Sequence, residues 1–216
     1  MIKNVLFDLD GTLIDSREGI INGFIYALSY FDIKVNDRKY MEKFIGPPLD
    51  ESFSKEYKFD KKQTEKAVKK YREYYSVEGV YLNKLYDGIK DVIIDLANNG
   101  EKIILATAKP LPFAERILEQ HGIKQYFSFL SAYMLDGSRT TKTEVIDYAL
   151  KNIEDLKLEE CIMVGDRGYD IEGAKANNIQ TVGVTYGFGT EQELKDAGAT
   201  YIAHNTRDLK DILLNK

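Results

Sequence analysis

The chain has 216 residues, of which 44% are hydrophobic and 30% are charged, and its formal net charge at pH 7 is −5. These proportions are typical of a globular protein, and the acidic balance argues against a nucleic-acid partner, whose binding surface is normally basic. No apolar stretch is long enough to span a bilayer and the N-terminus has no signal-peptide pattern, so we expect no membrane partner. The single cysteine, Cys161, excludes an intrachain disulfide and favours a cytoplasmic location.

The first predicted element is a short apolar strand over residues 3–8, which is followed by a second acid, Asp10, and a break at Gly11. Residues two apart in an extended segment point to the same side, so Asp8 and Asp10 should face one small volume. Two like charges there repel unless a cation or a shared proton intervenes. Because carboxylate oxygens suit Mg²⁺, the pattern predicts a magnesium site at the carboxyl end of this strand.

Residues 16–80 are predicted to form an all-helical insert, because apolar residues recur there at helical spacing. Three helices are expected, which start near Ser16, after Asn36 and near Asp60. A Gly-Pro-Pro turn at residues 46–48 ends the second helix. The many lysines and glutamates of the third helix are typical of a solvated helix face.

From Asp87 onward, predicted helices and strands alternate. Strands are expected over residues 102–107, 127–132, 161–164, 181–184 and 201–203. Helices are expected from Asp87 to Gly100, from Pro110 to His121, from a capping box of Thr141 and Glu144 to Lys151, from Tyr169 to Asn177, and after a capping box of Thr190 and Glu193. This alternation predicts a parallel sheet with helices on both faces, which binds ligands beyond the carboxyl ends of its strands. Four polar residues fall at such ends: Asp8, Asp10, Thr107 and Asp166.

Four stretches of the sequence carry recognisable motifs. They are DLDGTLIDS at 8–16, the strand IILAT at 103–107, Lys142 within SRTTK, and GDRGYD at 165–170. In this order they resemble the four signatures of the haloacid dehalogenase superfamily, and the resemblance covers almost the whole chain. It implies an α/β fold with a Rossmann-like parallel sheet core, formed by residues 1–15 and 81–216. Residues 16–80 would then be an inserted helical cap that sets substrate specificity.

The resemblance implies a Mg²⁺-dependent phosphatase that hydrolyses small phosphate monoesters through an aspartyl-phosphate intermediate. Asp8 is the implied nucleophile, and Asp10 the implied general acid and base. Metal ligation is implied for Asp8, Asp166 and the backbone carbonyl of Asp10, with Asp170 outside them or on a coordinated water. Contacts to the phosphoryl oxygens are expected from the Thr107 hydroxyl, the Lys142 ammonium and the backbone N–H groups of Gly11 and Ala108.

Substrate choice is expected to lie in the cap and in the segment before Lys142. FIGPPL at 44–49 resembles a cap segment of phosphoglycolate-phosphatase-like members, and LDGSR at 135–139 resembles a phosphoglycolate phosphatase or 5′-nucleotidase branch. The candidate specificity residues are Arg17, Phe44, Gly46, Pro47 and Arg139, for each of which ordinary packing or surface charge is the alternative role. The implied partner is a small-molecule phosphate ester, bound by a monomer or homodimer.

Three other functions compete with this hypothesis. A sugar phosphomutase similar to β-phosphoglucomutase would share every motif and differ only in its phosphoryl acceptor. A dehalogenase needs no Mg²⁺ and normally lacks the second acid, so Asp10 argues against it. A non-catalytic binding protein would be expected to have lost a motif residue, and none is lost.

Overall fold

A computed structural model describes residues 1–134 and 136–215 of the chain. The chain divides into two compact units, one formed by Met1–Asp15 with Leu85–Lys216 and the other by Ser16–Lys84. The second unit therefore ends at Lys84, whereas the sequence predicts that the insert ends at residue 80. Within the described residues, every helix falls short of the length and apolarity that a bilayer crossing requires.

Parallel pairing organises the first unit. The strands are β1 Asn4–Phe7, β2 Ile14–Asp15, β3 Lys84–Leu85, β4 Lys102–Pro110, β5 Phe127–Tyr133, β6 Cys161–Gly165, β7 Gln180–Val184 and β8 Tyr201–Ala203. Six of them form one sheet in the order β5-β4-β1-β6-β7-β8, and each of its pairings is parallel. The short β2 and β3 lie beside the two points in the sequence where the chain passes between the units. Central β1 is buried along its whole length, which explains the apolar run Val5–Leu6–Phe7 that follows Asn4.

The chain has nine described α-helices, and the six that belong to the first unit cover the sheet. The α-helices are α1 Arg17–Ser29, α2 Leu49–Tyr57, α3 Lys61–Tyr75, α4 Ile89–Asn99, α5 Leu111–Gln120, α6 Lys142–Lys151, α7 Gly168–Ala176, α8 Glu191–Ala197 and α9 Thr206–Leu214. On one face Leu6 joins a buried cluster with Val145 of α6 and Ala174 of α7. Val5 and Phe7 are equally buried and point to the opposite face, because side chains alternate along a strand. Both faces are therefore covered, which confirms the predicted α/β fold.

Aromatic side chains form the core of the second unit. The ring centroid of Phe24, on α1, lies 5.1 Å from that of Phe44, 4.9 Å from that of Phe53 and 5.3 Å from that of Tyr71. Aromatic pairs at these distances stabilise a core beyond the area that they bury. The unit thus has a packed interior of its own.

The structure differs from the sequence prediction at several elements. Helices α2 and α9 have no counterpart in the prediction, and the helix expected after Asn36 is a 3₁₀ turn over Tyr40–Phe44. Only half of the second capping box forms: the Thr190 side chain accepts from the backbone N–H of Glu193. The Glu193 carboxylate instead accepts from the N–H of Gly168, 2.8 Å away, because tertiary packing brings α7 against α8.

Candidate active site

The carboxyl ends of β1, β4 and β6 meet at one edge of the sheet. Phe7, the last residue of β1, pairs with Leu105 of β4 on one side and with Val164 of β6 on the other. The residues that follow each partner therefore lie side by side. This register places Asp8 level with Ala106 and Gly165, the residues directly before Thr107 and Asp166.

Three buried carboxylates form an acidic triad, which consists of Asp8, Asp166 and Asp170. One oxygen of each lies within 4.8 Å of the others, and the three residues are at most 4% exposed. Every ligand atom is a carboxylate oxygen, which is the donor type that hard divalent cations prefer. The triad could therefore hold a metal ion.

Lys142 supplies positive charge inside the triad. Its Nζ lies 2.6 Å from Oδ1 of Asp8 and 2.7 Å from Oδ1 of Asp170, and it donates to the carbonyl oxygen of Ala106 at 2.9 Å. Burial alone would lower the pKa of Lys142, but the carboxylates of Asp170 and Asp8 outweigh burial and raise that pKa. The two carboxylates therefore stabilise the charged form of the side chain. The capping box of Thr141 and Glu144 forms as predicted and starts α6 at Lys142.

Asp166 is the least compensated carboxylate of the triad. Its Oδ2 accepts from the backbone N–H of Phe188 at 2.7 Å, whereas its buried Oδ1 has no hydrogen-bond partner among the described residues. Burial raises the pKa of Asp166 well above its ordinary value, and the charges of Asp170 and Asp8 add to that rise. Three buried carboxylates thus share one lysine ammonium, which lies within ion-pair distance of Asp8 and Asp170, and a divalent cation would add positive charge to this cluster.

Close backbone packing holds Asp166 in place. A Cβ on Gly11, whose φ is +82°, would lie 2.1 Å from Oδ2 of Asp166, and one on Gly187 would lie 2.3 Å from the carbonyl oxygen of Gly11. Neither position has room for a larger residue. The segment 186–189 after β7 was missed by the sequence reasoning, although its Gly-Phe-Gly sequence is a signal of close backbone approach.

Asp10 lies apart from the triad. Both of its carboxylate oxygens accept from Nζ of Lys109, at 3.0 and 2.8 Å. In this pair the Lys109 side chain is 5% exposed and the Asp10 side chain is 13% exposed. Ligation by Asp10 thus stays a prediction for its backbone carbonyl, because its carboxylate is engaged by Lys109.

The expected phosphate-binding groups differ in whether their hydrogen-bond donors already have an acceptor within the protein. The Thr107 hydroxyl is buried and accepts from the N–H of Lys109 at 3.2 Å, which leaves its own proton available to donate. Ala108 lies in the irregular pairing between Thr107 and Pro110 at the end of β4. The N–H of Gly11 donates to the carbonyl oxygen of Ile14 at 2.8 Å, so its role as a phosphate ligand stays a prediction that requires it to change partner.

The candidate specificity residues are distributed over both units. In the second unit, Phe44 is part of the aromatic core, Gly46 has a φ of +107°, and Arg17 Nη1 lies 3.4 Å from Glu42 Oε1. Pro47, beside Gly46, is partly buried.

Arg139, in the first unit, stacks on an aromatic ring. Its guanidinium carbon is 3.8 Å from the ring centroid of Tyr148, and its Nε donates to the carbonyl oxygen of Ala132 at 3.2 Å. These are packing contacts, and a role of Arg139 in substrate specificity stays a prediction. Leu135, the first residue of the LDGSR segment, lies outside the described residues.

Comparison with known proteins identifies the same family that the four sequence motifs resemble. A family model described as haloacid dehalogenase-like hydrolase matches residues 5–184. That range contains the acidic triad together with Asp10, Lys109 and Lys142.

Individual relatives match over nearly the full chain. A 5′-nucleotidase from Pseudomonas aeruginosa is 40% identical over 210 residues, which cover 97% of this chain and 95% of that protein. The tyrosine-protein kinase PtkA from Mycobacterium tuberculosis is 37% identical over 200 residues, which cover 93% of this chain and 68% of that protein. A solved structure described as a predicted phosphatase from Clostridium acetobutylicum has a TM-score of 0.95 at 43% identity and covers 100% of both chains. The similarity therefore extends across both units.

Proposed function

This chain belongs to the haloacid dehalogenase-like hydrolase family, and on that premise we propose that it is a Mg²⁺-dependent phosphatase of small phosphate monoesters. The observation that carries the proposal is the buried contact of 2.6 Å between Lys142 Nζ and Asp8 Oδ1. A carboxylate fixed beside a buried lysine ammonium, at the ligand-binding edge of a parallel sheet, suits attack on a phosphoryl group.

In the proposed first step, a carboxylate oxygen of Asp8 attacks phosphorus and the ester P–O bond breaks, which leaves an aspartyl-phosphate. Asp10 gives a proton to the departing ester oxygen. The Lys142 ammonium, the Thr107 hydroxyl and the N–H of Ala108 stabilise the charge on the phosphoryl oxygens. Catalysis in this step is mostly positioning and charge neutralisation.

In the proposed second step, water attacks the aspartyl-phosphate. Asp10 takes a proton from that water, the bond between phosphorus and the Asp8 oxygen breaks, and inorganic phosphate leaves. The Asp8 carboxylate is regenerated, so water is the only reactant consumed besides the ester. Lys142 then pairs again with a free carboxylate.

The proposed direct ligands of Mg²⁺ are Asp8, Asp166 and the backbone carbonyl of Asp10. Support comes from the oxygen donors of the triad and from Oδ1 of Asp166, which is buried and has no hydrogen-bond partner in the part of the chain that the structure describes. When bound, the ion would supply positive charge against the phosphoryl oxygens. Asp170 is proposed to lie outside the direct ligands or to bind a coordinated water, because both of its oxygens have partners: Oδ1 lies 2.7 Å from Lys142 Nζ, and Oδ2 accepts from the N–H of Arg167 at 3.1 Å.

A phosphate-release screen tests the proposed function. Phosphoglycolate, nucleoside 5′-monophosphates and sugar phosphates form the panel, since the motif resemblance and the relative named 5′-nucleotidase both favour small monoesters. We expect release from at least one of them with Mg²⁺, and a rate at least about 10²-fold lower in excess chelator. Full activity in chelator would remove the metal from the proposal. Isomerisation of a sugar phosphate with little phosphate released would favour the mutase instead.

We further propose that the unit Ser16–Lys84 selects the substrate. A substitution of Arg17 tests this proposal best. The Arg17 side chain is 45% exposed and can bind an anionic group, whereas Phe44 is buried in the aromatic core and Gly46 would be strained by any side chain. Arg17→Ala should lower kcat/KM for the preferred ester by about tenfold relative to p-nitrophenyl phosphate. The matched control is Arg38→Ala, because Arg38 is an exposed arginine of the same unit. An equal loss on both esters would assign Arg17 a structural role.

A further inference from the structure

Lys109 is a buried lysine that the family motifs do not include, and it contacts a residue 99 positions away in the sequence. Its ammonium reaches both oxygens of the Asp10 carboxylate, at 3.0 and 2.8 Å. The two side chains are 5% and 13% exposed. The contact is therefore largely shielded from water, unlike the ion pairs on the surface of the chain.

The backbone around Lys109 is fixed on both sides. Its N–H donates to the Thr107 hydroxyl at 3.2 Å. The next residue, Pro110, ends β4, pairs with Tyr133 of β5 and precedes α5. The ammonium thus projects from a constrained strand end, so it can define where the Asp10 carboxylate sits.

A buried ion pair of this kind is a poor way to stabilise a fold. Removing two charges from water costs several kcal/mol, and well-packed apolar residues often serve equally well. Lys142 already supplies positive charge to the triad, so Lys109 is not needed for that purpose. What the contact supplies instead is a fixed position for the Asp10 carboxylate, because both of its oxygens accept from the same ammonium.

We propose that Lys109 is a positioning residue that orients the Asp10 carboxylate for proton transfer to and from the ester oxygen and water. The inference rests on the proposed function, in which Asp10 is the general acid and base. Without Lys109, Asp10 would remain present but would lose its fixed direction. Proton transfer requires hydrogen-bond geometry, so the loss should be confined to steps that need a proton.

The dependence of rate on the leaving group tests this inference. Alkyl phosphates need a proton on the departing oxygen, whereas p-nitrophenyl phosphate has a good leaving group and needs little help. For Lys109→Met we expect kcat/KM to fall by about 10²-fold on an alkyl ester, and by less than about tenfold on p-nitrophenyl phosphate. The ratio kcat/KM is the correct measure, because it reports the steps up to aspartyl-phosphate formation.

A double-mutant cycle makes the test specific to Asp10. Asp10→Asn should show the same selective loss, and adding Lys109→Met to it should cost little more on the alkyl ester, because residues that act as one unit are not additive. The double variant carries no unpaired charge at this position, so it remains informative if Lys109→Met alone fails to fold. Lys102→Met, at the exposed start of the same strand, should behave like the wild type.

Two results would overturn the inference: a loss for Lys109→Met that is equal on all esters, or a further large loss on top of Asp10→Asn. Either result would assign Lys109 a structural or direct substrate-binding role. Failure of the proposed function gives a different result, since the wild-type chain would then release no phosphate from any ester of the panel.

Discussion

Asp8→Asn is expected to lower phosphate release by on the order of 10⁴-fold or more while leaving the protein folded. The amide is nearly isosteric with the carboxylate and its oxygen can still accept from Lys142 Nζ, which lies 2.6 Å from Oδ1 of Asp8. It is nevertheless a poor nucleophile, so the aspartyl-phosphate cannot form. Steady-state phosphate release on the preferred ester, together with a thermal melt, measures both parts of this prediction.

Two controls separate chemistry from folding. Asp147→Asn removes an aspartate that pairs with Lys151 on the surface and should leave turnover unchanged. Mass spectrometry of acid-quenched wild-type protein should find a phosphoryl group on Asp8, and the same method applied to the variant detects any deamidation of the introduced amide back to aspartate. Phosphate release at the wild-type rate by folded, undeamidated Asp8→Asn would refute the assignment of Asp8 as the nucleophile.

The parts of the site that sequence could predict follow from local rules. Alternation along a strand and the shared edge of a parallel sheet bring Asp8 and Asp166 together, and both rules need only the apolar runs before Asp8 and Asp166. The capping box of Thr141 and Glu144 similarly fixes the start of α6 and therefore the position of Lys142.

The parts that sequence could not predict depend on contacts between distant segments. Nothing near Lys109 in the sequence shows that its ammonium meets Asp10, and nothing near Gly187 shows that it packs against Gly11. The half-formed capping box has the same cause, because Glu193 is drawn to Gly168 by packing between two helices. Local patterns predict an available partner, and tertiary structure decides which partner is used.

The charge imbalance of the triad connects stability with function. Asp8, Asp166 and Asp170 are buried together, and the ammonium of Lys142 lies within ion-pair distance of two of them, Asp8 and Asp170. Like charges that are buried without full compensation destabilise the folded state. The uncompensated charge should therefore lower the free energy of unfolding, and a bound divalent cation should raise it again.

Asp166→Asn is accordingly expected to change stability and activity in opposite directions. The amide cannot ionise, so it removes the free-energy cost of charging a third carboxylate in this buried cluster, and its oxygen can keep accepting from the N–H of Phe188, which lies 2.7 Å from Oδ2. In chelator, the variant should be more stable than the wild type by about 1–2 kcal/mol, or roughly 2–8 °C in Tm. Its phosphate release should fall by at least about 10²-fold, because a proposed metal ligand is lost.

The same variant should lose the response of the protein to Mg²⁺. Titration of Mg²⁺ into the wild-type chain should raise its Tm, since an ion that binds only the folded state stabilises it by mass action. Asp166→Asn should show little of that rise at the same concentrations, whereas Asp147→Asn should show all of it. Melting curves with and without Mg²⁺ make these comparisons without any reference to turnover. A lower Tm of Asp166→Asn in chelator, or an undiminished Mg²⁺ response, would contradict the charge argument, because the carboxylate of Asp166 would then be balanced by the protein itself.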